Sequence, residues 1–94
     1  MEEDRNLIRE LLVRLAEIEK SLDPGANREV QPPYEGVRNP ITVPGYDVKQ
    51  IDAHLQLLVK RRLVDTGGVT NGPLIGIWFS HLTDAGHRAI RQTG

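Results

Sequence analysis

Five of the six prolines in this 94-residue chain fall between residues 23 and 45, at Pro24, Pro32, Pro33, Pro40 and Pro44. Proline lacks a backbone N–H and fixes φ, so this stretch is denied both long helices and sheet interiors. Any core must come from the two flanking stretches. At this length they can build one modest core, which excludes a multi-domain enzyme and predicts a single domain over residues 1–94. An irregular connection of that length inside a compact domain is uncommon, and it is usually functional, mobile or holding structure of its own. Within it only Ile41-Thr42-Val43 reads as a short strand, confined to a sheet edge by the prolines on either side. Gln31-Pro32-Pro33-Tyr34 has the composition of an extended peptide for an aromatic-lined partner, although loop prolines more often act as stiffeners.

Before the proline segment, Leu7, Ile8, Leu11, Leu12, Leu15, Ile18 and Leu22 recur at helical steps and predict a helix from 4 to about 21. Asp4 is its expected cap, and Asp23-Pro24-Gly25 is its stop. After the segment, Asp47 should cap a second helix running to about Arg62. Val48, Ile51, Leu55, Leu58 and Val59 form its inner stripe, and Lys49, Gln50, Asp52, Ala53, Gln56 and Lys60 form its outer side. Two β-rich runs follow, 63–66 and 74–82, separated by the glycine-, asparagine- and proline-containing stretch 67–73. They read as a hairpin with a long tip. Thr83 should cap a short closing helix from 84 to about 92.

The composition excludes several classes. Hydrophobic residues at 38% and charged residues at 27% are an ordinary globular mix, neither disordered nor membrane-like. Without cysteine there is no disulfide framework, thiolate nucleophile or cysteine zinc site, and a cytoplasmic setting is compatible. Glu2, Glu3 and Asp4 stand where a secretory signal would be basic, and no apolar run is long enough to span a bilayer, so no membrane partner is expected. A net charge of -1 argues against a non-specific cationic coat on nucleic acid. The total hides an asymmetry: residues 1–35 carry nine acids and five bases, a balance of -4, and residues 36–94 carry seven bases and four acids, a balance of +3.

The element order is that of a winged-helix-like α+β domain: long helix, short edge strand, recognition-type helix, two-stranded wing hairpin, short C-terminal helix. The stretch 47–64, with His54-Leu55, Leu58 and Leu63-Val64 at their spacing, resembles the recognition helix and the start of the wing in bacterial winged-helix repressors, including metal-responsive and multidrug-responsive groups. Three blocks in order are similar to those of a small family of uncharacterised bacterial and phage proteins with a winged-helix-like fold. They are Asp4, Asn6-Leu7-Ile8-Arg9 and Leu11-Leu12; Gly45-Tyr46, Ile51, His54-Leu55 and Leu57-Leu58; and Leu82-Thr83 with Gly86-His87. The resemblance implies the fold and a phage or mobile-element origin, and almost nothing about activity. Two departures stand out. Arg61-Arg62 occupies the place where repressors commonly have a glycine, and the short helix that supports a recognition helix is not visible in residues 23–45.

In that fold the DNA-binding residues are Lys49, Gln50, Ala53, Gln56, Lys60, Arg61, Arg62 and Arg88. The bases would neutralise phosphates of double-stranded DNA, and Gln50 and Gln56 would read base edges. Each has an ordinary alternative, since a Lys-Arg-Arg run at a helix C-terminus answers the helix dipole and glutamines are common surface fillers. Asp47 and Asp52 near that face would oppose DNA. The competing expectation is a non-catalytic protein-interaction module. One face of the strand would then leave Ile75, Ile77 and Phe79, or alternatively Leu74 and Trp78, exposed for a homodimer or another partner unless the proline segment covers them. The three histidines lack the i,i+4 spacing of a helical ligand pair, and no nucleophile set or phosphate loop is recognisable. The expectation is therefore a non-enzyme without metal or cofactor.

Overall fold

The computed structural model describes residues 2–69, 73 and 75–92. Among these, three helices and two small antiparallel sheets pack around one core, an α+β arrangement. No described helix is long and apolar enough to cross a membrane.

Helix α1 (Arg5–Ser21) begins where its cap was expected: Asp4 accepts the Leu7 N–H at 3.0 Å. Its apolar stripe buries Leu7, Leu11, Leu12 and Leu15 completely against the later elements. After a turn closed by the Ala26 N–H on the Asp23 carbonyl, strand β1 (Arg28–Val30) forms. Helix α2 (Val48–Lys60) starts at Asp47 with a reciprocal capping box to Gln50, and Ile51, Leu55 and Leu58 enter the core. Strands β2 (Val64–Asp65), β3 (Ile77–Phe79) and β4 (His81–Leu82) follow, and α3 (Asp84–Arg91) closes the chain behind a Thr83 cap.

The proline segment differs from its expected form. Ile41 and Val43 are buried and Thr42 is exposed, an alternation proper to a strand, yet 41–43 is not in a ladder. Pro40 and Pro44 offer no N–H on either side, and only the Ile41 N–H reaches across, to the Gln31 carbonyl at 2.8 Å. The strand of this region is instead the proline-free Arg28–Val30, separated from the end of α1 by six residues. Among the described residues, 22–47 contain no helix, so the short supporting helix of the repressor pattern does not precede α2, and the helix that packs against it is α1.

The hairpin is also divided. Val64 and Asp65 pair with Leu82 and His81 as expected of its base, but Ile77–Phe79 leave that partner and pair with β1, in the register Arg28 to Phe79 and Val30 to Ile77. Ser80 marks the exchange. Its N–H bonds the Asp65 carbonyl and its hydroxyl donates to the Ala26 carbonyl, both at 2.8 Å, so one extended run joins two sheets. Much of the expected tip, residues 70–72, and Leu74 lie outside the described residues.

Candidate nucleic-acid interface

At about 100° per residue, Lys49, Ala53, Gln56 and Lys60 of α2 fall within about 60° of one another. Lys49, Gln56 and Lys60 are exposed, and Ala53 between them is small enough for the helix to approach another surface closely. Asp52 borders this stripe, but its carboxylate is turned to the hairpin. Its Oδ1 accepts the Gly76 N–H at 2.6 Å, and Gln56 Nε2 donates both to the Gly76 carbonyl at 2.6 Å and to Asp52 at 3.3 Å. Gly76 has φ +92°, and a Cβ there would lie 2.4 Å from the Val30 carbonyl oxygen, so glycine is required where the hairpin docks on the helix. Asp52 and Gln56 are therefore a clamp, a role that residues 20 and 24 positions away from Gly76 do not announce locally.

The clamp bears on base reading. A bidentate contact to an adenine edge uses both the carbonyl and the amide of a glutamine. Gln56 has committed its amide to Gly76 and Asp52, and Gln50 has committed its carbonyl to the Asp47 N–H in the capping box. Either would have to give up an internal bond to read a base in that way.

Beyond Lys60 the helix closes with a Schellman pattern: the Leu63 N–H reaches the Leu58 carbonyl and the Arg62 N–H the Val59 carbonyl. The residue in the left-handed position is Arg62, at φ +56°, so the turn expected of a glycine is made by an exposed arginine. Arg61 is ion-paired to Glu3, a partner 58 positions away that sequence reasoning missed. Arg88 is exposed on α3, whose main partners are α1 and β4, and so it is separate from the α2 stripe.

The flank of α2 next to the stripe is occupied by the start of α1. His54 is 2% exposed, and its Nε2 accepts the Asp4 N–H at 3.0 Å. That leaves Nδ1 as the protonated nitrogen, donating to the Gln50 carbonyl at 2.8 Å. Tyr46 donates its hydroxyl to Asp4 Oδ2 at 2.9 Å and accepts from Asn6 at 3.1 Å. The Leu7 N–H, and with it the Tyr46 hydroxyl, holds the Asp4 carboxyl below its usual range, while partial burial works the other way. Glu2, Glu3, Asp4, Arg5, Gln50 and His54 together line an open cavity of about 450 Å³.

The expected apolar interaction strand is largely internal. Ile77 and Phe79 are buried because the face of β3 they share packs into the core, which corrects their assignment to an exposed patch; of the two faces considered, the one carrying Trp78 is the outer one. Ile75 and Trp78 are half-buried. Trp78 lines a small cleft of about 130 Å³ between α2 and the hairpin, with Val59, Val69 and Ile77.

The blocks that carry the winged-helix resemblance thus have structural work. Asp4, Asn6, Tyr46 and His54 form one hydrogen-bonded hub. In the last block the Thr83 hydroxyl donates to the Arg62 carbonyl at 2.7 Å and accepts the Gly86 N–H, and His87 Nε2 sits 3.2 Å from Glu19. His81 lies 3.7 Å from Asp65, which leaves the three histidines on separate partners. Comparison of the chain with protein-family models, with curated proteins and with solved structures finds no match.

Proposed function

We propose that this chain is a non-catalytic, winged-helix-like domain that binds double-stranded DNA mainly through backbone phosphates, with α2 toward the groove and the hairpin beside it. The observation that carries the reading is the Lys49–Ala53–Lys60 stripe, two exposed lysines about a half-buried alanine, fixed against the hairpin by the Asp52 and Gln56 clamp. Two lysines flank a small residue, and the bordering carboxylate is engaged by a backbone N–H and a side-chain amide. The commitment of both glutamines favours positioning contacts over base reading, hence weak sequence selectivity. Arg62 fits the same purpose, because an arginine at a left-handed position costs about 1 kcal/mol relative to glycine, and such strain is concentrated at functional sites. A cytoplasmic location with access to DNA belongs to this proposal.

The test is fluorescence anisotropy of a mixed-sequence 20-base-pair duplex in about 50 mM salt. Binding with a micromolar Kd is expected. The Lys49→Ala, Lys60→Ala double variant should weaken it and flatten the salt dependence, reducing the slope of log K against log salt by about 1.8. Absence of binding by the parent chain at about 100 μM, the weak end of non-specific affinities, overturns the reading. A protein-interaction module is the second reading, favoured by the half-buried Trp78 in its cleft. A chain that ignores duplexes and self-associates would move the assignment there.

A further inference from the structure

The acidic balance of the N-terminal part has a definite place in the structure. From Asp4, whose N–H is anchored on His54 midway along α2, the chain leads back to Glu3, which pairs with Arg61 at the helix C-terminus. His54 and Arg61 are seven residues apart, about two turns on one flank of α2, with Gln50 one turn before them. Residues 2–4 thus lie along the flank that borders the Lys49–Ala53–Lys60 stripe. Among the described residues, Arg61 is the base near the end of α2 that already holds a carboxylate.

We propose that residues 2–4 are an autoinhibitory arm: Glu3 occupies the guanidinium of Arg61 in place of a DNA phosphate, and the Asp4 to His54 bond keeps it there. The proposal rests on the DNA-binding reading and adds a regulator to that site. The chemistry is a direct exchange. A phosphate oxygen replaces the carboxylate oxygen on the same guanidinium, a group that takes either anion. The exchange is feasible because both partners are partly exposed, and such pairs are worth only about 1.4-fold to 5-fold in an equilibrium constant. The arm therefore lowers affinity without closing the site. The anchor is firmer than the pair it positions, since His54 is buried and both of its ring nitrogens are bonded.

The test measures duplex affinity and its salt dependence for the full chain, Glu3→Gln, Arg61→Ala and the combination. Glu17→Gln, which removes an exposed carboxylate on the outer face of α1, is the charge-matched control. Glu3→Gln is expected to tighten binding about twofold to fivefold and to steepen the salt slope by about 0.9, one added phosphate contact. Glu17→Gln should give less than half of that gain, and Glu3→Gln should give none in the Arg61→Ala background. Unchanged affinity and slope in Glu3→Gln, with the Lys49→Ala, Lys60→Ala loss intact, overturns the arm and leaves the DNA reading standing. A gain that persists without Arg61, or that Glu17→Gln matches, also overturns it, because net charge would then be the cause. Failure of the parent and Glu3→Gln alike to bind any duplex removes the DNA reading and the arm with it.

Discussion

Replacing Gly86 by alanine should destabilise the domain although it improves a helix. By propensity alone, glycine to alanine inside a helix gains about 1 kcal/mol. Here the new Cβ would lie 2.1 Å from the Leu63 carbonyl oxygen and 3.1 Å from its carbon. Ordinary carbon–oxygen contacts begin near about 3.3 Å, so α3 must retreat by about 1.2 Å. The Leu63 carbonyl already accepts the Thr83 N–H at 3.1 Å, and Thr83 holds both the Arg62 carbonyl and the Gly86 N–H, so the retreat strains three bonds at once. Overpacking of about 1–3 kcal/mol, with about 1 kcal/mol for each bond lost, outweighs the propensity gain. The expected net loss is about 2–3 kcal/mol. For a domain of this size that corresponds to a fall in Tm of about 10–20 °C. Urea unfolding followed by far-UV circular dichroism supplies the measurement, with the midpoint moving down at unchanged slope. A Gly86→Ala protein as stable as its parent, or more stable, would refute the close approach of α3 to the Leu63 carbonyl.

Two further outcomes follow from the described geometry. Arg62→Gly should stabilise the domain by about 0.5–1 kcal/mol, the left-handed penalty removed less the greater freedom of glycine in the unfolded chain, and should weaken duplex binding; thermal unfolding and anisotropy read the two effects, and a loss of stability would contradict the strain assigned to Arg62. The Asp4 carboxyl titrates below its unfolded value near 3.8, so its contribution is complete above that pH and is lost as pH falls through the folded value. Tyr46→Phe removes one of the groups holding it down and should move acid unfolding to higher pH, whereas an unmoved midpoint in a circular dichroism titration would deny Tyr46 that role.

The parts of the fold legible in the sequence are those set by neighbours in the chain. Asp4, Asp47 and Thr83 cap the helices they were expected to cap, because a cap and its target N–H are three residues apart. The Lys49–Ala53–Lys60 stripe follows from helical phase in the same way. Pairing over long separations was not legible. A three-residue strand such as Arg28–Val30 has no alternation to detect, and its partner lies about fifty residues away, so the pairing was hidden, and the apolar run 74–79 left open which of its two faces, that of Ile77 and Phe79 or that of Trp78, would be covered. The same limit hid the site's internal commitments. Gln56 and Asp52 look like surface filler until Gly76 is placed beside them, and Arg61 looks like a free base until Glu3 is. The turn after α2 was half legible: its position was clear, but an arginine accepting φ +56° runs against the residue preference that marks such turns.

The double closure at the base of the hairpin has an engineering consequence. The β2–β4 pairing shuts the loop on one side, and the Asp52 and Gln56 clamp on Gly76 shuts it on the other. Asp65 and Gly76 are thus both secured by other parts of the molecule, so the length of chain joining them is decoupled from the placement of α2 and the core. Doubling such a loop adds only about 0.6 kcal/mol of closure entropy. This is the natural site at which to graft an epitope, a fluorophore acceptor or a protease recognition sequence without altering the anchored scaffold on either side of it.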